Sequence, residues 1–260
     1  MKRRILPYLA VMWYLAAIEG CSIKENRTIC PCRLILDISS VSVEEMAPVS
    51  LSVLSDTGLV YYETLSAAAS TLDRVIDVPR TELSVMSWSG YEGMLTDDGL
   101  TIPHGRDCPH VYVHSTKVAA TGELVRDTVC LRKNHCVLNI SFKDTDVPYG
   151  LIVRGNVSGY DPEGQPKAGE FYVPVTVDPT SFSSVDVCLP RQIGNDLYLD
   201  VSDGQGRYRT FPLSEYMTAA GYDWTEPDLK DLDLLLDYTL TSVTLVIQGW
   251  DEEFIFDVVI

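Results

Sequence analysis

Cys136-Val137-Leu138-Asn139-Ile140-Ser141-Phe142 decides the fold class. Cys136, Leu138, Ile140 and Phe142 fall on one face of an extended chain, and Asn139 and Ser141 on the other. This period of two is that of a half-buried β-strand. The same signal recurs on both sides. Upstream lie Cys32–Ile38, Val49–Leu54, Leu59–Tyr62, Thr81–Trp88 and His110–Val118. Downstream lie Leu151–Arg154, Phe171–Val177, Val185–Leu189, Leu197–Val201 and Tyr208–Phe211. Turn residues separate them, as in Ser55-Asp56-Thr57-Gly58 and Asp203-Gly204-Gln205-Gly206. Pro212–Ala220 is the one short helix expected, stopped by Gly221. Asp228–Asp237 fits a helix or a strand. Ser242–Trp250 and Glu253–Ile260 read as a closing hairpin. Many short strands between frequent turns do not suit a parallel α/β sheet. The expectation is an all-β chain of two tandem sandwiches, over residues 32–146 and 147–260, joined near Val147.

Composition agrees with a folded chain. Of 260 residues, 46% are hydrophobic and 22% charged, which excludes wholesale disorder. Lys and Arg total 20 against 37 Asp and Glu, for a net charge of -17. Phosphate contacts need basic clusters, so nucleic acid is not an expected partner. The same charge opposes adsorption to anionic lipid.

The amino end carries an address. Lys2, Arg3 and Arg4 precede an apolar run, Ile5–Ile18, interrupted by Pro7. The run is shorter than the roughly 20 residues a spanning helix needs, and its basic start reads as an export signal over residues 1–20. It ends in Ile18-Glu19-Gly20-Cys21, which resembles the bacterial lipoprotein box, with Glu19 where a small residue is usual. Cys21 is then the expected acylated first residue of the mature chain, and residues 21–31 form a lipidated tether. Six other cysteines remain: Cys30, Cys32, Cys108, Cys130, Cys136 and Cys188. Outside the cytoplasm, an even number is expected to pair as disulfides, with connectivity open.

Catalytic signals are sparse. No P-loop or dinucleotide fingerprint occurs, and Trp88-Ser89-Gly90 lacks the G-x-S-x-G elbow. His110 and His114, placed on one strand, would stand about 13 Å apart, too far for one metal. A zinc site using the cysteines and His135 lacks the C-x2-C spacing and is not favoured. Asp228, Asp231, Asp233 and Asp237 read as a solvated acidic face rather than a calcium loop. No catalytic residue, cofactor or metal is expected.

Several segments, in order, resemble the FimB/Mfa-type fimbrial anchor lipoproteins of the Bacteroides group. They are Cys21 with Cys30-Pro31-Cys32-Arg33-Leu34-Ile35-Leu36-Asp37, then Leu51–Val60, then Leu83–Gly90, then Val129–His135 with the Val137 strand. The resemblance covers most of residues 21–145 and is looser beyond. It implies transthyretin-like sandwiches and an outer-membrane lipoprotein that roots a type V pilus and limits its length. The implied partners are pilin subunits of the shaft and, through acyl chains, the outer membrane. A tip or adhesive subunit, or a surface glycan-binding lipoprotein, is the alternative. In that pilus class, as the family implies, a protease that is often arginine-specific removes the first strand of a shaft subunit, and the opened groove accepts a strand from the next. A subunit that keeps its first strand ends the chain. Here no Arg or Lys occurs from Leu34 to Asp73. Phe254, Phe256, Val258 and Ile260 share a face of the last strand, which either completes its own sheet or is lent to pilin.

Overall fold

The computed structural model describes residues 30–42, 48–65, 73–91, 99–142, 149–177, 184–203, 206, 208–236, 242–247 and 253–257. The strands are β1 (Cys32–Asp37), β2 (Val49–Ser55), β3 (Gly58–Leu65), β4 (Arg74–Val78), β5 (Glu82–Ser89), β6 (Leu100–Thr101), β7 (Tyr112–Ala119), β8 (Leu124–Thr128), β9 (Arg132–Lys133) and β10 (His135–Phe142). They continue with β11 (Tyr149–Tyr160), β12 (Pro166–Val177), β13 (Ser184–Pro190), β14 (Tyr198–Asp203), β15 (Tyr208–Phe211), β16 (Leu232–Leu236), β17 (Ser242–Ile247) and β18 (Glu253–Asp257). One helix, α1 (Leu213–Ala219), lies between β15 and β16. Residues 32–260 form one compact unit.

Four sheets make two pairs. A three-stranded sheet, β4-β1-β8, lies across from β3-β2-β5-β7-β9. Their inner faces share one core, with Leu34 and Leu36 from the first sheet and Leu51, Val53, Leu83 and Val85 from the second. The second pair is β12-β11-β14-β15, with β6 added on β11, and β13-β10-β16-β17-β18. Between them lie Leu151, Val153, Leu199 and Val201 against Leu138, Ile140, Val187 and Leu234, and α1 closes one side with Leu213 and Met217. The period-two pattern of β10 predicts this. Cys136, Leu138 and Ile140 are buried, and Val137, Asn139 and Ser141 are half-buried. A third cluster bridges the pairs: Met86, Trp88, Val111 and Val113 meet Leu100 and Tyr160.

Strand pairing crosses the position near Val147. Strand β10, expected at the end of the first sandwich, pairs antiparallel with β13 and parallel with β16, and so belongs to the second pair. Strand β6 also crosses over, pairing Leu100 with Tyr160. Close backbone approach there requires glycine. A Cβ on Gly159, at φ 151°, would stand 1.9 Å from the Leu100 carbonyl oxygen. Within Asp228–Asp237, residues 228–231 form a loop leading into β16, whose Leu232, Leu234 and Leu236 are buried; Asp237 lies outside the described residues. The expected helix and closing hairpin are present as α1 and β17–β18.

Candidate strand-exchange site

Strand β1 is the centre of its sheet. Alternation puts Cys32, Leu34 and Leu36 inside at 0% exposure, with Arg33 outside. On one edge it runs antiparallel to β4, from Cys32 opposite Val78 to Leu36 opposite Arg74. On the other it runs parallel to β8, from Arg33 opposite Leu124 to Asp37 opposite Thr128. Further bonds extend both ends, Arg33 N to Glu123 O at 2.9 Å and Val129 N to Asp37 O at 2.9 Å. Burying two leucines contributes about 1.5–3 kcal/mol each. An incoming strand would have to replace this burial and two backbone ladders.

Charges fix the outer face. Arg126 donates to Asp37 Oδ2 at 3.2 Å and to Asp73 Oδ2 at 3.4 Å, so one guanidinium joins β8, β1 and the start of β4. Hydrogen bonds from Ser39, and then Arg126, hold the Asp37 carboxyl below its ordinary range. The basic groups flanking the Arg- and Lys-free span differ in access. The Arg33 side chain is 63% exposed and 4.0 Å from Asp77, although its backbone is paired on both sides. Arg74 is half-buried within β4, with Nε 2.8 Å from Glu63 Oε2.

At the other end, β18 completes its own sheet as an edge strand on β17. Phe254 and Phe256 are half-buried against the second core, and Phe256 stacks on Tyr216 at 4.8 Å. Ile255, facing away, is exposed. Val258, Ile260 and Cys21 lie outside the described residues.

Cys30, Cys32, Cys108, Cys130, Cys136 and Cys188 are each unbridged in the structure. Their placement explains much of this. Cys30 is exposed ahead of β1, whereas Cys32 points into the first core. Cys136 lies in the second core, and burial pushes its thiol up to about 12. Cys108 and Cys188 approach each other, with Cys108 N bonded to Cys188 O at 3.1 Å.

The histidines show what sequence spacing missed. His110 precedes β7, whereas His114 lies within it. His114 Nε2 is 3.0 Å from Asp127 Oδ2, and its Nδ1 accepts the Cys130 backbone N–H at 3.3 Å. Both ring nitrogens are therefore occupied, and neither can activate a nucleophile. His110 instead stacks on His135 from β10, with ring centroids 4.7 Å apart. Cys188 joins them, and the three possible ligand atoms lie within 4.8 Å of one another. Sequence spacing does not bring His110 and His135 together, because they lie 25 residues apart in the chain.

The aromatic platform expected of a glycan-binding surface is not assembled by the described tryptophans. Trp88 is fully buried. Trp224 lines an open groove of about 730 Å³ beside Arg191 and Pro227. There Arg191 donates to the Trp224 carbonyl and, at 3.3 Å, to the Pro227 carbonyl. Trp250 lies outside the described residues. No helix among the described residues is long and apolar enough to cross a membrane.

No protein-family model matches this chain, and no curated protein matches it in sequence. Solved structures do share its fold. The fimbrial anchor protein Mfa2 from Porphyromonas gingivalis is 14% identical, with a TM-score of 0.63 over 85% of this chain and 98% of that one. A candidate polysaccharide-binding protein from Bacteroides thetaiotaomicron is 15% identical, with a TM-score of 0.59 over 87% and 98% of the two chains. A candidate adhesin from the same species is 12% identical, with a TM-score of 0.54 over 85% and 97%. The chain therefore shares the β-sandwich fold of the Mfa/FimB-type fimbrial proteins.

Proposed function

We propose that this chain is a lipid-anchored fimbrial subunit that holds a pilus at the outer membrane and ends its growth there. The observation that carries the reading is the seated first strand. Strand β1 fills the middle of its sheet with Leu34 and Leu36 fully buried. The sequence from Leu34 to Asp73 offers no basic residue at which an arginine- or lysine-specific protease could release it. A chain that retains this strand presents no open groove to a further subunit, so addition stops. Its own contact with pilin is through an edge, and β18 is the edge strand that the sequence singled out. The fold shared with Mfa2, a fimbrial anchor protein, supports the reading. Acyl chains on Cys21 would supply the membrane attachment.

Deleting the gene tests the role. Fimbriae are expected to become longer and to appear in the culture medium, as measured by electron microscopy and by pilin in the cell-free fraction. Unchanged length with full retention on the cell contradicts the role. Immunogold label at the distal end of intact fimbriae would assign the chain to the tip instead.

A further inference from the structure

We propose that Cys108, His110, His135 and Cys188 bind one zinc-type divalent cation, tying the 103–111 segment to the β10–β13 sheet. These residues come from three places in the chain and converge beside the seam between the two sheet pairs. His110 is exposed at the rim, whereas Cys108, His135 and Cys188 are buried. The ring nitrogens of His110 and His135 and the Cys188 Sγ lie within 4.8 Å of one another. The Cys108 thiol is next to that of Cys188. Two imidazoles and two thiols form the donor set that selects zinc over oxygen-preferring cations.

The surroundings favour ligation. His135 Nδ1 is 3.0 Å from the Val111 carbonyl oxygen. A carbonyl only accepts, so Nδ1 carries the proton and Nε2 keeps its lone pair for a metal. The same carbonyl accepts Asn134 N at 3.0 Å, while Val111 N bonds to Pro109 O at 2.7 Å. Cys108 is held to Cys188 by its own backbone bond. Gly90 packs against this segment so closely that a Cβ there would lie 1.9 Å from the His110 carbonyl oxygen. The backbone is thus fixed, and the side chains need only close inward. Tetrahedral zinc, with Zn–N of about 2.0–2.1 Å and Zn–S of about 2.3 Å, brings its donors to about 3.3–3.8 Å apart. From 4.8 Å the closure is about 1 Å, within reach of an exposed histidine.

Both thiols point at the Pro109 carbonyl, Cys108 Sγ at 3.2 Å and Cys188 Sγ at 3.9 Å. On metal entry each thiol loses its proton to solvent and its sulfur turns to the cation, with no change of oxidation state. The Asp107 carboxyl accepts the Cys188 backbone N–H and stands near His110. Four protein ligands leave no open position, so the ion's role is structural.

Cobalt(II) reports this geometry directly. Titrating the purified full-length reduced chain with cobalt(II) is expected to give one equivalent of binding. The spectrum should show the intense visible bands of a tetrahedral ion and a near-ultraviolet thiolate band, both removed by added zinc. His110→Ala, at an exposed position, should weaken binding about tenfold or more, and Cys188→Ser should abolish the thiolate band. Zinc should raise the melting temperature of the parent chain more than that of His110→Ala. Octahedral cobalt spectra, or equal binding by parent and His110→Ala, overturn the proposal. So does a Cys108–Cys188 disulfide in the freshly isolated chain, found by mass spectrometry without reduction.

Discussion

Leu34→Asp is expected to unfold the first sheet pair, and Leu34→Ala to cost about 2–5 kcal/mol of stability. Leu34 is fully buried in the middle of β1, opposite Ile76 on one side and Val125 on the other. Removing its side chain leaves a void between two sheets whose backbones are held by ladders, so little collapse is possible. Aspartate there would be a carboxylate with no partner in an apolar core, a change that ordinarily exceeds 4 kcal/mol. Domains of this kind are stable by about 5–15 kcal/mol in total. The alanine chain should therefore remain folded with a lower urea midpoint, and the aspartate chain should not. Ile255→Ala provides the contrast. Its side chain is exposed on β18, and the change should stay within about 0.5 kcal/mol. A Leu34→Ala midpoint equal to that of the parent would mean that β1 is not seated as described.

Cys21→Ala is expected to move the protein from the membrane pellet to the periplasmic fraction. If acyl chains on Cys21 are the attachment, each buried methylene contributes about 0.8 kcal/mol, and several chains together hold the protein firmly. No described helix can cross a bilayer, and a net charge of -17 disfavours anionic headgroups. Cys30→Ala, which removes an exposed thiol close to the same end, should leave fractionation unchanged. Membrane sedimentation of Cys21→Ala equal to that of the parent would remove lipidation from the account.

Strands with one strongly apolar face were legible. In β10 and β1 the side chains alternate cleanly because one face meets a core and the other does not. The two neighbours of β1 were not legible. Strand β4 leaves Val75 exposed and half-buries Arg74, and strand β8 leaves Leu124 exposed and half-buries Asp127. Edge strands carry mixed charges on both faces, and their period is correspondingly blurred. Sheet membership was also hidden. The partners of β10 are β13 and β16, about 50 and 95 residues further along the chain, and alternation says nothing about which strand pairs with which. Alternation alone therefore groups β10 with the strands that precede it in the chain. The same distance concealed the histidine–cysteine cluster, whose members have no spacing signature. His110 and His114 were expected on one strand, whereas β7 begins two residues later, at Tyr112.

The central claim is that this subunit reaches the assembled fimbria with its first strand still attached and in place. Mass spectrometry of the chain recovered from purified fimbriae, mapping its most N-terminal peptide, tests this directly. The account predicts a chain that begins at acylated Cys21 and includes Cys32–Asp37 uncut. A chain that begins beyond Val43 would contradict it, because β1 would then have been removed and its groove left open.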